Sequence, residues 1–141
     1  MNPTAKNILA VVLGIVIGSA VNMGLIVGGM KVVPPPGGVD VINKPESLKE
    51  NIHRFEPKHF VTPLLAHALG TLVGAFVASK MAASHRFQLA MVIGAFFFAG
   101  GVYMAYDLAA PIWFEALDLL AYFPLAWLGH TLAGSRTTPT A

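Results

Sequence analysis

Five side chains that could handle protons or hydrogen-bond a ligand lie inside otherwise apolar stretches of this 141-residue chain: Asn22, His67, Tyr103, Glu115 and Asp118. Ionisable groups are costly in hydrocarbon, so each needs a partner or a function. Glu115 and Asp118 are three residues apart, which places both carboxylates on one helix face. Two carboxylates in a low dielectric must be neutralised by a proton, by a cation or by His67, and this indicates proton, cation or small-ligand binding.

Four apolar segments must position these side chains. A bilayer core of ~30 Å requires about 20 residues of helix, and the segments that meet this length are residues 8–30, 60–79, 87–106 and 112–132, all approximate. Their hydropathy does not alternate as in barrel strands, so helices are predicted. The first segment continues unbroken to Met30, which favours a spanning helix over a cleaved signal peptide.

The composition supports a membrane location. Hydrophobic residues make up 55% of the chain and charged residues 11%, whereas a typical soluble domain has roughly 25% charged residues. These values exclude a disordered chain, a coiled coil and an ordinary soluble domain. The net charge of +2 and the scattered basic residues argue against nucleic-acid binding. The absence of cysteine excludes disulfides and thiolate metal sites. We expect a single membrane domain over residues 1–141, surrounded by lipid.

The connections between the segments are unequal in length. Residues 31–59 form a long loop that begins with a stiff Pro34–Gly38 turn. Residues 45–55 predict a short amphipathic helix, whose apolar face would lie on the membrane or cap the bundle. The other two connections are tight and favour antiparallel neighbours. The predicted fold is therefore all-α: an antiparallel bundle of four transmembrane helices with a short amphipathic helix in the first loop.

The five polar side chains are predicted to lie in one half of the bundle. At 1.5 Å per residue, Asn22 lies ~12 Å and His67 ~10 Å below the surface that faces the long loop. By the same measure Asp118 lies ~9 Å and Glu115 ~5 Å deep, and Tyr103 ends the third helix on that side. We predict a one-sided polar pocket under the long loop. The alternatives are hydrogen bonds that only pin the helices together and a Glu115 side chain that merely reaches the interface.

Glycines four residues apart predict close helix contacts. Three such pairs lie in the first two segments: Gly14 and Gly18, Gly24 and Gly28, and Gly70 and Gly74. Such pairs let two helix backbones approach each other in lipid. We favour packing between these two helices of one chain over a dedicated dimerisation face.

The sequence predicts neither a metal site nor catalysis. Glu56 and His59 have the Glu-x-x-His spacing of di-iron bundles, which however require a second such motif and two further carboxylates. No P-loop, zinc-protease or serine-hydrolase motif is present. An enzyme is the less favoured interpretation, since only Glu115, Asp118 and His67 could perform acid–base chemistry. We name no catalytic residue and leave the cofactor open. His53, His85 and His130 are assigned to the interfaces, without special chemistry.

Two charge patterns give opposite orientations. A plain count of Lys and Arg favours a cytoplasmic long loop, whereas the short, purely basic loop Lys80–Arg86 favours cytoplasmic termini, with Lys6 and Arg136 on the same side. We expect both termini in the cytoplasm, because the rule is most informative for short loops.

Several short stretches resemble a group of small, uncharacterised bacterial integral membrane proteins. These stretches are Val21–Gly24, Pro34–Asp40, Pro57–Phe60 and Ala66–Thr71. The resemblance covers most of the chain through the second helix and is looser beyond it. It implies four helices in a bacterial inner membrane and carries no activity.

Two further functions remain open at this point. The chain could be an accessory or structural subunit of a larger membrane complex, bound to another membrane protein or to a second copy of itself. It could also be a small transporter or channel that acts as an oligomer. The absence of an internal repeat and the apolar half of the bundle make transport the weaker alternative.

Overall fold

The fold was analysed in a computed structural model, which describes residues 1–134. Its helices are α1 (Pro3–Val32), α2 (Pro45–Asn51), α3 (Pro57–Met81), α4 (Arg86–Leu108) and α5 (Ile112–Ala133), with a 3-10 turn at Ile52–Arg54. Helices α1, α3, α4 and α5 are long and apolar enough to cross a membrane. The described residues contain no strand, and the predicted all-α four-helix bundle is confirmed. Arg136, which entered the orientation argument, lies outside this range.

Helix α1 begins five residues earlier than its apolar segment predicts. The Asn2 side chain accepts a hydrogen bond of 2.8 Å from the backbone N–H of Ala5, and Pro3 occupies the first helical turn. Both are favourable at a helix start, because Asn caps free N–H groups and Pro has none to satisfy. The resulting 30 residues span ~45 Å, which exceeds the ~30 Å thickness of the bilayer core.

Helix α3 begins at Pro57, three residues before the apolar segment that starts near residue 60. Glu56 and His59 form a capping box, in which Nδ1 of His59 accepts a 2.9 Å hydrogen bond from the backbone N–H of Glu56. The Glu-x-x-His spacing therefore serves the start of this helix.

Helix α3 is the centre of the bundle and packs against α1, α4 and α5. A Cβ atom added to Gly14 would come 2.7 Å from the Gly74 carbonyl oxygen, and one added to Gly18 would come 2.6 Å from that of Gly70. The predicted packing of α1 on α3 is therefore confirmed for these glycines. By contrast, Gly24 faces open space.

The long loop folds over one end of the bundle. Helix α2 is shorter than predicted, and the chain continues from it as the 3-10 turn. The Arg54 guanidinium donates hydrogen bonds of 3.0 Å to the Asn51 side chain and to the Gly37 carbonyl, which ties this turn to the proline-rich turn. Lys49 donates a 2.8 Å hydrogen bond to Asp107 at the end of α4. These contacts hold the loop across the ends of the spanning helices.

Candidate functional site

A cavity of about 170 Å³ lies beneath the long loop. All four spanning helices contribute to its walls, and the loop contributes its cover. The covering side chains are Val33, Pro35, Val41, Leu48, Ile52 and Phe55. The apolar face of the α2 region therefore caps the bundle, which was one of the two predicted placements. Polar side chains of α3 and α5 reach the same cavity, including His67, Glu115 and Asp118.

Asp118 holds two neighbours through separate carboxylate oxygens. Its Oδ1 lies 2.7 Å from Nδ1 of His67, and its Oδ2 accepts a 2.9 Å hydrogen bond from the Tyr122 hydroxyl. The Asp118 side chain is 6% exposed and that of His67 is 22% exposed. The imidazole also stacks on the Tyr122 ring, with centroids 6.2 Å apart. We refer to Asp118, His67 and Tyr122 as the triad. Burial and charge-assisted hydrogen bonding give the triad a defined geometry.

The triad leaves one imidazole nitrogen for other contacts. With Asp118 as the ionised carboxylate, which can only accept hydrogen bonds, Nδ1 of His67 is the donor in this contact. Its Nε2 can then accept a hydrogen bond or take up a proton. Asp118 thus orients His67 as carboxylates orient metal-binding and catalytic histidines.

Glu115 lies about one helical turn before Asp118 on α5 and also lines the cavity. Its Oε1 atom is buried and has no hydrogen-bond partner among the described residues. A buried carboxylate oxygen without a donor costs free energy. A bound molecule that donates a hydrogen bond would remove this cost.

The remaining predicted residues lie elsewhere. Asn22 packs at the contact of α1 with α3, where a Cβ atom on Gly70 would come 2.9 Å from the Asn22 Cβ, and it does not line the cavity. Tyr103 is 65% exposed on the outer face of α4. Of the five predicted residues the structure therefore brings together His67, Glu115 and Asp118, and it adds Tyr122 and His59.

Sequence reasoning missed a second polar cluster at the opposite end of the bundle. The Ser79 hydroxyl lies 3.0 Å from both the Arg86 carbonyl oxygen and Nδ1 of His130. Nε of Arg86 in turn donates to the Ser79 carbonyl at 2.5 Å, and the guanidinium also reaches the Ala133 carbonyl at 3.3 Å. Ser79 is fully buried, so the cluster joins the ends of α3, α4 and α5. The signal was present in the sequence, since all three side chains belong to helix ends on the same side.

The geometry offers no metal centre within residues 1–134, where no three His, Asp or Glu side chains converge as a metal ion requires. No family model, no curated protein and no solved structure matches this chain. The cavity and the side chains around it are therefore the basis for a functional assignment.

Proposed function

We propose that this chain is a multi-pass protein of the bacterial inner membrane whose cavity binds a small molecule that enters from the side of the long loop. The observation that carries the proposal is the cavity of about 170 Å³ that His67, Glu115 and Asp118 share. A largely apolar pocket with a few convergent polar groups is the usual composition of a small-molecule site. The apolar composition and the resemblance to bacterial membrane proteins support the location.

The three polar residues have different roles in this proposal. Each oxygen of Asp118 has a partner, His67 or Tyr122, so Asp118 positions the imidazole. Nε2 of His67 and the Glu115 carboxylate are the groups left to contact the ligand. Such preorganisation lowers the entropic cost of binding.

Helix pinning alone accounts for only part of this arrangement. The contact between His67 and Asp118 does join α3 to α5, and interhelical hydrogen bonds of this kind stabilise membrane bundles. Pinning does not explain a carboxylate oxygen of Glu115 that is buried without a donor.

Native mass spectrometry tests the proposal directly. The protein is extracted gently from its own membrane, and its mass is compared with that of the double variant Asp118→Asn/His67→Gln. We expect an additional small-molecule mass on the wild type and its loss from the double variant. His130→Gln is the matched control, because His130 is hydrogen-bonded at the other end of the bundle. The additional mass is expected to remain in this control. A wild-type protein without any additional mass, or a mass that the double variant retains, would contradict the proposal.

A second candidate function is that of an accessory subunit, and one observation favours it. Gly24 and Gly28 lie four residues apart on α1, and added Cβ atoms would meet nothing within 4 Å. This face could admit a helix of another protein at close range. The same mass spectra distinguish the candidates, since a subunit would carry the mass of another polypeptide.

A further inference from the structure

The charges around the cavity do not balance. Glu115 and Asp118 supply two carboxylates, and His67 supplies at most one positive charge. His59 also lines the cavity, but its Nδ1 accepts a hydrogen bond from the Glu56 N–H, so its ring is the neutral tautomer. No lysine or arginine lines the cavity in the described part of the chain. With both carboxylates ionised, the site retains one negative charge if His67 is protonated and two if it is neutral.

The hydrogen-bonding groups of the site also contain an excess of acceptors over donors. Both oxygens of Asp118 are already paired within the protein, whereas Oε1 of Glu115 is an acceptor without a donor. A ligand that fits this oxygen must donate a hydrogen bond. A buried negative charge is stabilised most by a donor that is itself positively charged.

The walls and the volume limit the rest of the ligand. Hydrocarbon and aromatic side chains surround the polar groups: Ile26, Met30, Phe60, Met104, Phe114 and Leu119. A hydrated inorganic cation would gain nothing from such walls. The cavity of about 170 Å³ is close to the ~150 Å³ of an engineered apolar cavity that holds benzene. The space therefore fits a compact hydrocarbon body of roughly that size.

We infer that the ligand is a small lipophilic monocation, a protonated amine with a compact hydrocarbon body. This inference rests on the proposed function and names the chemical class that the cavity selects. The ammonium group donates to the Glu115 carboxylate, which lines the cavity, and neutralises the excess charge. The hydrocarbon body lies against the apolar walls under the loop. Glu115 is then the residue that determines specificity, and His67 and Asp118 form the neighbouring wall.

Three probes of the same size and different charge test the inference. Purified protein in lipid nanodiscs is titrated with benzylamine, benzyl alcohol and benzoate, and binding is measured by calorimetry. We expect benzylamine to bind at least about tenfold more tightly than benzyl alcohol, which corresponds to ~1.4 kcal/mol. Benzoate is expected not to bind, since its carboxylate would face Glu115.

Three variants separate the cavity from the surrounding lipid. Glu115→Gln should remove the preference for benzylamine and leave the affinity for benzyl alcohol unchanged. Glu46→Gln is the matched control, because Glu46 is exposed on α2, and it should retain the preference. Ala105→Leu places a larger side chain in the cavity wall and should abolish binding of both probes. Partition of the probes into lipid is the same for all variants and cannot produce these differences.

The outcomes distinguish the inference from the proposal on which it rests. Equal affinities of the wild type for benzylamine and benzyl alcohol would overturn selection of a cation and leave small-molecule binding intact. A native ligand mass without binding of any probe would overturn the assigned ligand class. The absence of both a native mass and probe binding would overturn the proposed function as well.

Discussion

Asp118 is the residue on which the candidate site depends, because it contacts α3 through His67 and its own helix through Tyr122. Replacing Tyr122 by Phe leaves Oδ2 of Asp118 without a donor. We expect Tyr122→Phe to lower the unfolding free energy by about 1 kcal/mol, since a typical intramolecular hydrogen bond contributes about 0.5–1.5 kcal/mol to stability. Reversible unfolding in mixed micelles measures this change.

A double-mutant cycle then assigns the effect to this hydrogen bond. If Tyr122 acts through Asp118, the change Tyr122→Phe has little effect once Asp118 is replaced by Asn. Equal losses in the wild-type and the Asp118→Asn backgrounds would show that the Tyr122 hydroxyl stabilises the bundle in another way.

The sequence predicts how deep the site residues lie along their helices. A constant rise per residue places His67, Glu115 and Asp118 at neighbouring levels, and the structure brings them to one cavity. Tyr103 has a suitable depth but is 65% exposed. Depth does not show which side of a helix a residue occupies. Hydropathy shows little of this either when a helix is apolar on all sides. The same limitation hid the contact between Ser79 and His130.

At the level of the helices, the packing of α1 on α3 depends on the absence of side chains. Gly14→Ala should destabilise the bundle by about 1–3 kcal/mol, because the new Cβ would overlap a region that is already close-packed. The clash is with the Gly74 carbonyl oxygen, 2.7 Å from the added atom. Helix propensity alone predicts the opposite sign, since Ala is favoured over Gly by about 1 kcal/mol within a helix.

Gly24→Ala is the matched control for this prediction. It lies on the same helix, and its added Cβ meets nothing within 4 Å. We expect this variant to unfold at the same temperature as the wild type or a higher one. Similar destabilisation by both substitutions would mean that the contact between α1 and α3 does not determine stability.

The long loop is held to the bundle by the ion pair between Lys49 and Asp107. The hydrogen bond to Asp107, together with the negative charge of that carboxylate, raises the pKa of Lys49 above its ordinary value of 10.5. A raised lysine pKa stabilises the contact fully below pH 10.5, and the contribution is lost as the pH rises through the higher value. The cover of the cavity should therefore be unaffected near neutral pH and loosen only in strong alkali.

Removing this ion pair should open the cavity more often. Exposed ion pairs contribute little to stability, so we expect the bundle of Lys49→Met to stay folded. Because the loop loses its contact with α4, access to the cavity should increase. The chain has no cysteine, so a single Leu119→Cys on the cavity wall reports the rate of thiol modification. The rate should rise severalfold in Lys49→Met. Lys58→Met should not change it, because Lys58 pairs only locally with Glu56. An unchanged rate in Lys49→Met would show that this ion pair does not keep the loop closed over the cavity.

Helix boundaries show why hydropathy describes these elements incompletely. The apolar segment near residue 8 marks where the chain becomes lipid-compatible, whereas the helix begins where Asn2 and Pro3 satisfy its first turn. The capping residues were visible in the sequence. The division of the α2 region into a short helix and a 3-10 turn was not, because it depends on contacts such as that of Arg54 with Gly37.

For the molecule as a whole, polar groups are concentrated at two levels. One level is the cavity under the long loop, and the other is the Ser79–Arg86–His130 cluster at the far end. Small and apolar side chains form the core near the second level, including Ala75, Ala78, Ala90, Ile93 and Ala126. The described part of the chain thus combines a cavity of about 170 Å³ under the long loop with a core of small side chains nearer the far end. This arrangement fits binding better than passage across the bundle.

The orientation of the molecule decides from which compartment the cavity is reached. Four spanning helices place the long loop opposite both the N-terminus and the loop between α3 and α4. The short basic loop Lys80–Arg86 favours the cytoplasm for its own side. We therefore predict that a membrane-impermeant maleimide added to intact cells labels Asn43→Cys in the long loop. Ala83→Cys, exposed in the short loop, should react only after permeabilisation. The reverse pattern would retain four spans and make the cytoplasm the source of the ligand, whereas labelling of both from one side would contradict the antiparallel bundle.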